Sequence, residues 1–190
     1  MKLLKLPTVL TIAAVTGGIG LSLTSVSAAT QDESSQGEVT FTAGALTLEQ
    51  VPSFNFGNQS ISAEDQTYGA QSESVVRVTD LRGTSAGWNL TVTATDLKMN
   101  PSTVLTGAQI KLSNGNATNT SNETVTVTNG VLTPNSAVRV LDAASGEGNG
   151  VSTGTWAQTT GVTLDVPGST SKSVGKYSAD LTWTLTDAPA

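Results

Sequence analysis

Two segments of the chain place a tryptophan and a leucine two positions apart: Gly87-Trp88-Asn89-Leu90-Thr91-Val92 and Leu181-Thr182-Trp183-Thr184-Leu185-Thr186. In an extended strand residues i and i+2 point to the same face, so each segment sets an indole beside an isobutyl group. Such a pair does one of two things. It anchors a sandwich core, as inward tryptophans do in immunoglobulin-like domains, or it forms an aromatic surface that stacks on sugar rings or a partner. The two are compatible if the strands adjoin and shape a surface from below, so Trp88, Leu90, Trp183 and Leu185 stand as candidate ligand- or partner-binding residues. Asp80 and Arg82 lie two apart beside Gly83 and ahead of Gly87; the expected role is a supporting hairpin, with an ion pair or hydrogen bonds to turn amides fixing the loop that presents Trp88. Trp156 falls outside the paired motif and is expected to pack in the core or a loop.

The remaining side chains offer few sharper tools. The 190 residues include no His and no Cys. That excludes a Ser-His-Asp triad, an imidazole ligand, a thiolate nucleophile, a disulfide framework, a zinc finger and an iron–sulfur cluster. Catalysis would have to come from carboxylates alone, as in glycoside cleavage. The adjacent pair Glu64-Asp65 lies in a polar stretch that reads as a loop, so no catalytic residue and no cofactor is expected. Asp142, Glu147 and Asn149 surround a Gly-rich loop, but their spacing does not fit an EF-hand, and a flexible hairpin loop without metal is expected. Nine basic against fifteen acidic residues give a net charge of -6, which does not suit binding to a nucleic-acid backbone. Eight aromatics (three Phe, three Trp, two Tyr) are too few for a broad sugar-lining cleft.

The elements that must position these residues read as strands. There are 31 Thr and 21 Ser with only 13% charged residues, a composition of strands joined by turns rather than of disorder. Period-2 alternation recurs at Val39-Phe41-Ala43, Val76-Val78, Trp88-Leu90-Val92-Ala94, Val125-Val127, Val162-Leu164-Val166 and Tyr177-Ala179-Leu181-Trp183-Leu185. Turn signals separate the runs, among them Arg82-Gly83, Asn114-Gly115-Asn116, Asn129-Gly130, Ser145 to Gly150 and Pro167-Gly168. The pattern predicts an all-β protein, a single antiparallel β-sandwich of immunoglobulin-like kind over residues 37–190, with a barrel as the minor alternative.

Ahead of it, Lys2 and Lys5, an uncharged run from Leu6 to Leu21 and Val26-Ser27-Ala28 have the form of a secretory signal peptide over residues 1–28. The apolar run is broken by threonines and glycines and falls short of the ~20 residues that span a bilayer. A polar, flexible leader over 29–36 is expected to follow. The mature chain then has seven basic and fifteen acidic residues and net charge -8, with no membrane span. The terminal Thr186 to Ala190 carries no sorting sequence or apolar tail, so a surface location is expected to depend on the folded domain.

Taken with Leu48-Glu49-Gln50-Val51-Pro52-Ser53-Phe54-Asn55-Phe56-Gly57 and Val78-Thr79-Asp80-Leu81-Arg82-Gly83, the two Trp-x-Leu strands resemble the WxL-domain family, cell-surface proteins of low-GC Gram-positive bacteria, over nearly the whole mature chain. The length is similar to that of a small WxL protein without additional adhesive domains. The resemblance implies non-covalent attachment to the cell wall with peptidoglycan as ligand. It also implies assembly at the surface with larger WxL proteins and a membrane-anchored partner. An alternative is an interaction subunit whose chief ligand is another surface protein, joined through a sheet edge or apolar patch.

Overall fold

From Trp88 to Ala94 the sequence alternates Trp, Leu, Val and Ala with Asn and Thr. In the computed structural model, which describes residues 31–189, this run is a strand with every apolar member buried and every polar member half-exposed. The described strands are, in chain order, β1 (Leu46–Gln50), β2 (Gln66–Gly69), β3 (Ser74–Asp80), β4 (Trp88–Ala94), β5 (Lys98–Asn100), β6 (Thr103–Val104), β7 (Gln109–Leu112), β8 (Asn116–Asn119), β9 (Thr126–Val127), β10 (Gly130–Leu132), β11 (Ala137–Ala143), β12 (Gly150–Trp156), β13 (Val162–Val166) and β14 (Leu181–Thr186). They pair antiparallel in the orders β1-β3-β12-β8, β10-β7-β13-β2 and β14-β4-β11-β9, with a small β5-β6 ladder. No helix occurs among the described residues, and so none that is long and apolar enough to cross a membrane. The chain is all-β, with antiparallel sheets packed together as the alternation predicts.

The inner faces meet in one core. Val76 and Val78 of β3, Trp88, Leu90 and Val92 of β4, Val140 and Leu141 of β11, Trp156 of β12 and Val162 of β13 are all fully buried. Each such side chain contributes about 1.5–3 kcal/mol relative to leaving it in water. A register shift between Arg139 and Leu141 lets two successive residues, Val140 and Leu141, both turn inward. Leu141 then reaches across to β12, where a Cβ built on Gly154 would lie 3.0 Å from its methyl carbons.

That contact explains why β12 has no alternation in the sequence. Its inward residues are Ser152, Gly154 and Trp156, and only the last is bulky. The partner sheet's leucine fills the space that a large side chain would otherwise occupy, so a central strand reads as part of a Gly- and Thr-rich loop. The opposite discrepancy occurs at 38–43. Val39, Phe41 and Ala43 alternate as a strand should, yet these residues belong to no sheet and Phe41 is 89% exposed. Alternation supplies a potential face; a strand also needs a neighbour to take its backbone hydrogen bonds. The run at Tyr177 is likewise shorter than its pattern, since β14 begins at Leu181 and only a bridge from Ser178 to Lys98 precedes it. Residues 31–40 carry no regular secondary structure. The signal segment expected over 1–28 lies outside the described residues.

Candidate functional site

β4 lies between β14 and β11, so its side chains are flanked on both sides. Trp88 pairs in register with Ala143 of β11 and is fully buried, as is Leu90 two residues on. The Trp88 indole N–H donates to the carbonyl of Gly148 at 3.1 Å. That glycine sits at φ +85°, and a Cβ on it would lie 2.4 Å from Ala143 Cβ and 2.6 Å from Trp88 Nε1. Only glycine fits where the backbone comes this close to the ring. The Gly-rich loop expected to be flexible is therefore a lid on Trp88, tied down at several points. Gly146 N–H donates to the Ser85 carbonyl at 2.8 Å, Thr124 N–H to Glu147 Oε2 at 2.6 Å, and Asn149 N–H to Glu123 Oε2 at 2.6 Å.

Asp80 and Arg82 frame the other approach to Trp88. The Asp80 carboxylate is 1% exposed and accepts from Arg82 Nε (3.0 Å), Arg82 Nη2 (2.7 Å) and the Arg82 backbone N–H (3.0 Å). The same Nη2 donates to the Gly87 carbonyl at 2.9 Å, closing the loop one residue before Trp88. Gly83 makes the turn at φ +66°, and a Cβ on Gly87 would lie 2.5 Å from the Ala143 carbonyl oxygen. The guanidinium fork lowers the Asp80 pKa against the opposing pull of burial, and the carboxylate raises that of Arg82. A buried charge is thus fully hydrogen-bonded within its own loop, which is not the hairpin expected from the sequence: β3 and β4 lie in different sheets, and the segment crosses from one to the other.

The second Trp-x-Leu strand is at the sheet edge. β14 pairs only with β4, setting Leu185 opposite Leu90 and Trp183 opposite Val92. Both motifs therefore share one sheet face, but the strands run oppositely, so Trp183 lies four positions from the rung of Trp88. At ~3.4 Å per residue that is about 14 Å along the strand, and the two indoles do not form a stacked pair. Trp183 meets Phe54 instead, edge to face with centroids 6.5 Å apart. Phe54 belongs to an extended stretch after β1 in which Pro52, Phe54 and Phe56 turn inward alternately. Gly57 at φ +75° ends that stretch, its N–H held by the Asn55 side chain at 2.9 Å. Trp183 and Leu185 remain half-exposed, whereas Trp88 and Leu90 offer no surface at all.

Beside β14 lies an open groove of about 700 Å³, lined by Gly44, Leu46, Leu48, Arg82, Leu185 and Asp187 among others. Its two walls are edge strands, β1 and β14. On β14 the ladder phase follows from the first rungs. Thr95 N–H donates to the Asp180 carbonyl at 3.0 Å, and the Ala94 carbonyl turns the other way, accepting from Asn135 N–H at 2.7 Å. By alternation the backbone groups of Leu181, Trp183 and Leu185 point away from β4. On β1 the Leu81 N–H donates to the Ala45 carbonyl at 3.0 Å, which turns the groups of Leu46 and Leu48 outward by the same rule.

No cluster of acidic residues able to hold a metal occurs among the described residues. The sequence flagged Trp88, Leu90, Trp183 and Leu185 as equals, and the structure separates them into a core pair and an edge pair. It also adds Leu46, Leu48 and Phe54, which carry no Trp-x-Leu signature; Leu48 and Phe54 were visible only as apolar members of the Leu48 to Gly57 segment, and Leu46 lies ahead of it. A family model described as the WxL domain, surface cell wall-binding, matches residues 25–189. No curated protein and no solved structure matches the chain.

Proposed function

This chain belongs to the WxL domain family and is a cell wall-associated surface protein, and from that premise we propose that it attaches to the wall non-covalently, with peptidoglycan as its direct ligand and β14 as the contact. The observation that carries this reading is the half-exposed Trp183–Phe54 pair on an edge strand whose outward residues, Thr182, Thr184 and Thr186, are all exposed. An indole edge and a phenyl ring offer an apolar platform for the C–H face of a sugar, and on the opposite face of the same strand three exposed hydroxyls both donate and accept hydrogen bonds. Net negative charge disfavours attraction to anionic wall polymers, so binding by shape and hydrogen bonds suits this surface. No catalytic step is assigned: the protein acts as a binding module. In this reading residues 1–28 are a removed export signal, 29–36 a leader and 37–190 the binding unit.

A second reading makes another surface protein, a larger WxL protein or a membrane-anchored one, the direct ligand. It is favoured by the outward backbone groups of Leu181, Trp183 and Leu185, which suit an added strand. Co-sedimentation of the purified secreted chain with washed sacculi, in the absence of other proteins, distinguishes the two. Direct wall binding predicts that the chain pellets with sacculi and that Trp183→Ala, still folded by circular dichroism, stays in the supernatant. A wild-type chain left in the supernatant rejects direct wall binding and favours the protein partner.

A further inference from the structure

Three loops converge where the extended stretch after β1 ends at Gly57. They cover 55–59, 69–72 and 157–161, and none of them contains a charged residue. Gly57, at φ +75°, is a bare floor: a Cβ built on it would lie 3.3 Å from Gln71 Cδ and 3.6 Å from Gln59 Nε2. Two exposed carboxamides therefore stand beside one glycine, and they differ in what they already do. Gln59 Nε2 donates to the Phe56 carbonyl at 2.6 Å. Gln71 is tied through its backbone, its N–H donating to the Asn55 carbonyl at 2.7 Å and its carbonyl accepting from Gln158 Nε2 at 2.6 Å. Among the described residues nothing bonds to the Gln71 side-chain amide. Its backbone serves the fold, and its carboxamide keeps both donors and acceptor open.

The loop that holds Gln71 is strained. Thr159, next to Gln158, sits at φ +72°, where a β-branched residue is a genuine outlier. Its N–H donates to the Ala70 carbonyl at 2.9 Å, and a Cβ on Gly69 would collide with the Thr159 backbone. Such strain persists where the surroundings over-determine it, and it clusters at binding sites. Here it sets Gln158 against Gln71.

We propose that Gly57, Gln59 and Gln71 form a second subsite for the wall glycan, one that reads acetamido groups. The open Gln71 carboxamide matches an acetamido group donor to acceptor and acceptor to donor. The glycine floor lets that group approach the backbone. An uncharged lining suits a neutral sugar rather than a phosphate or a carboxylate. Continuity with the aromatic platform argues for a glycan over a peptide. Phe54, which meets Trp183, lies three residues before Gly57, about 10 Å along the extended stretch. A ligand that touches both runs over more than one sugar ring. The inference rests on the wall-binding reading and adds to it the length and chemistry of the glycan that is bound.

The test titrates the secreted chain with chitotetraose, which carries acetamido groups, and with cellotetraose, which has hydroxyls in their place. Cellotetraose is expected to bind at least about tenfold more weakly. Gln71→Ala should weaken chitotetraose about tenfold and leave cellotetraose unchanged, with the unfolding midpoint of the parent, because the bonds that Gln71 gives the fold are all from its backbone. Equal affinity for the two sugars, no binding of chitotetraose, or a Gln71→Ala chain that loses neither sugar or both alike overturns the subsite. Sacculus co-sedimentation separates this failure from that of the wall reading. A parent chain that pellets with sacculi yet gives any of those results keeps the wall reading and loses the subsite. Weaker pelleting of Gln71→Ala without chitotetraose binding assigns the amide to a wall peptide and equally overturns it. A parent chain that does not pellet rejects the wall reading and the subsite with it.

Discussion

The two Trp-x-Leu strands carry the same side chains on the same sheet face and differ in how many neighbours they have. β4 is flanked by β14 and β11, and its indole is sealed beneath the Gly148 lid. β14 is flanked by β4 alone, and its indole meets one phenyl ring at the margin of the core. A repeated motif therefore does two jobs. In the middle of a sheet it holds the fold together; at the edge it leaves part of the same apolar surface accessible to something else. The Asp80–Arg82 clamp serves the first job by tying the loop that leads into Trp88, and its Arg82 also lines the groove beside β14 with Leu185 and Asp187.

The contrast is sharpest for tryptophan truncation. Trp88→Ala should lose about 3–5 kcal/mol, enough to unfold much of the population, and denaturant unfolding should show wall binding disappearing together with the fold. If Trp88→Ala stays folded but stops binding, the division between core and edge is wrong. Next in size is Arg82→Ala, which leaves the buried Asp80 carboxylate without its fork. A loss of about 2 kcal/mol at neutral pH is expected, below the full penalty for an interior pair because the Arg82 side chain is partly exposed. The effect carries a pH signature. Asp80 is held below its ordinary value of 3.8 in the folded protein, so the pair's stabilisation is complete above about pH 4. It is lost as the pH falls through the lower folded value. Parent and Arg82→Ala unfolding free energies should therefore converge on acidification; curves that stay parallel down to pH 2 contradict the assignment.

The edge tryptophan should cost less. Trp183→Ala removes a half-buried ring, and a loss of about 1–2 kcal/mol leaves the chain folded, so that any effect on sacculus binding reports contact. Smallest of all is Thr184→Ala on the exposed face of β14, expected within about 0.5 kcal/mol of the parent. Comparable destabilisation by Trp88→Ala and Trp183→Ala would erase the comparison.

Much of this architecture was legible in the residues. The alternations at β3, β4, β13 and β14 identified strands with one buried face, and the absence of His and Cys pointed away from catalysis toward binding by shape. Pattern reading failed at two places for opposite reasons. β12 was hidden because Gly154 and Ser152 make its inner face small where Leu141 fills the gap. The segment 38–43 looked like a strand because its alternation is real, but it has no partner. The Gly-rich stretch from Ser145 to Gly150 was readable as a turn, yet its role as the acceptor for the Trp88 indole depends on a contact sixty positions away in sequence.

Sequence by itself determined the class of the fold and the identity of the inward residues on four strands, because period-2 alternation is a local fact; it pointed to Asp80 and Arg82 as a structural pair or as partners of turn amides and left the choice to the tertiary structure. It could not rank Trp88 against Trp183. Side-chain direction is set by the strand, but burial is set by what lies on either side of the strand and above it. Only the sheet order, with β4 inside and β14 at the edge, decided which indole is structure and which is surface.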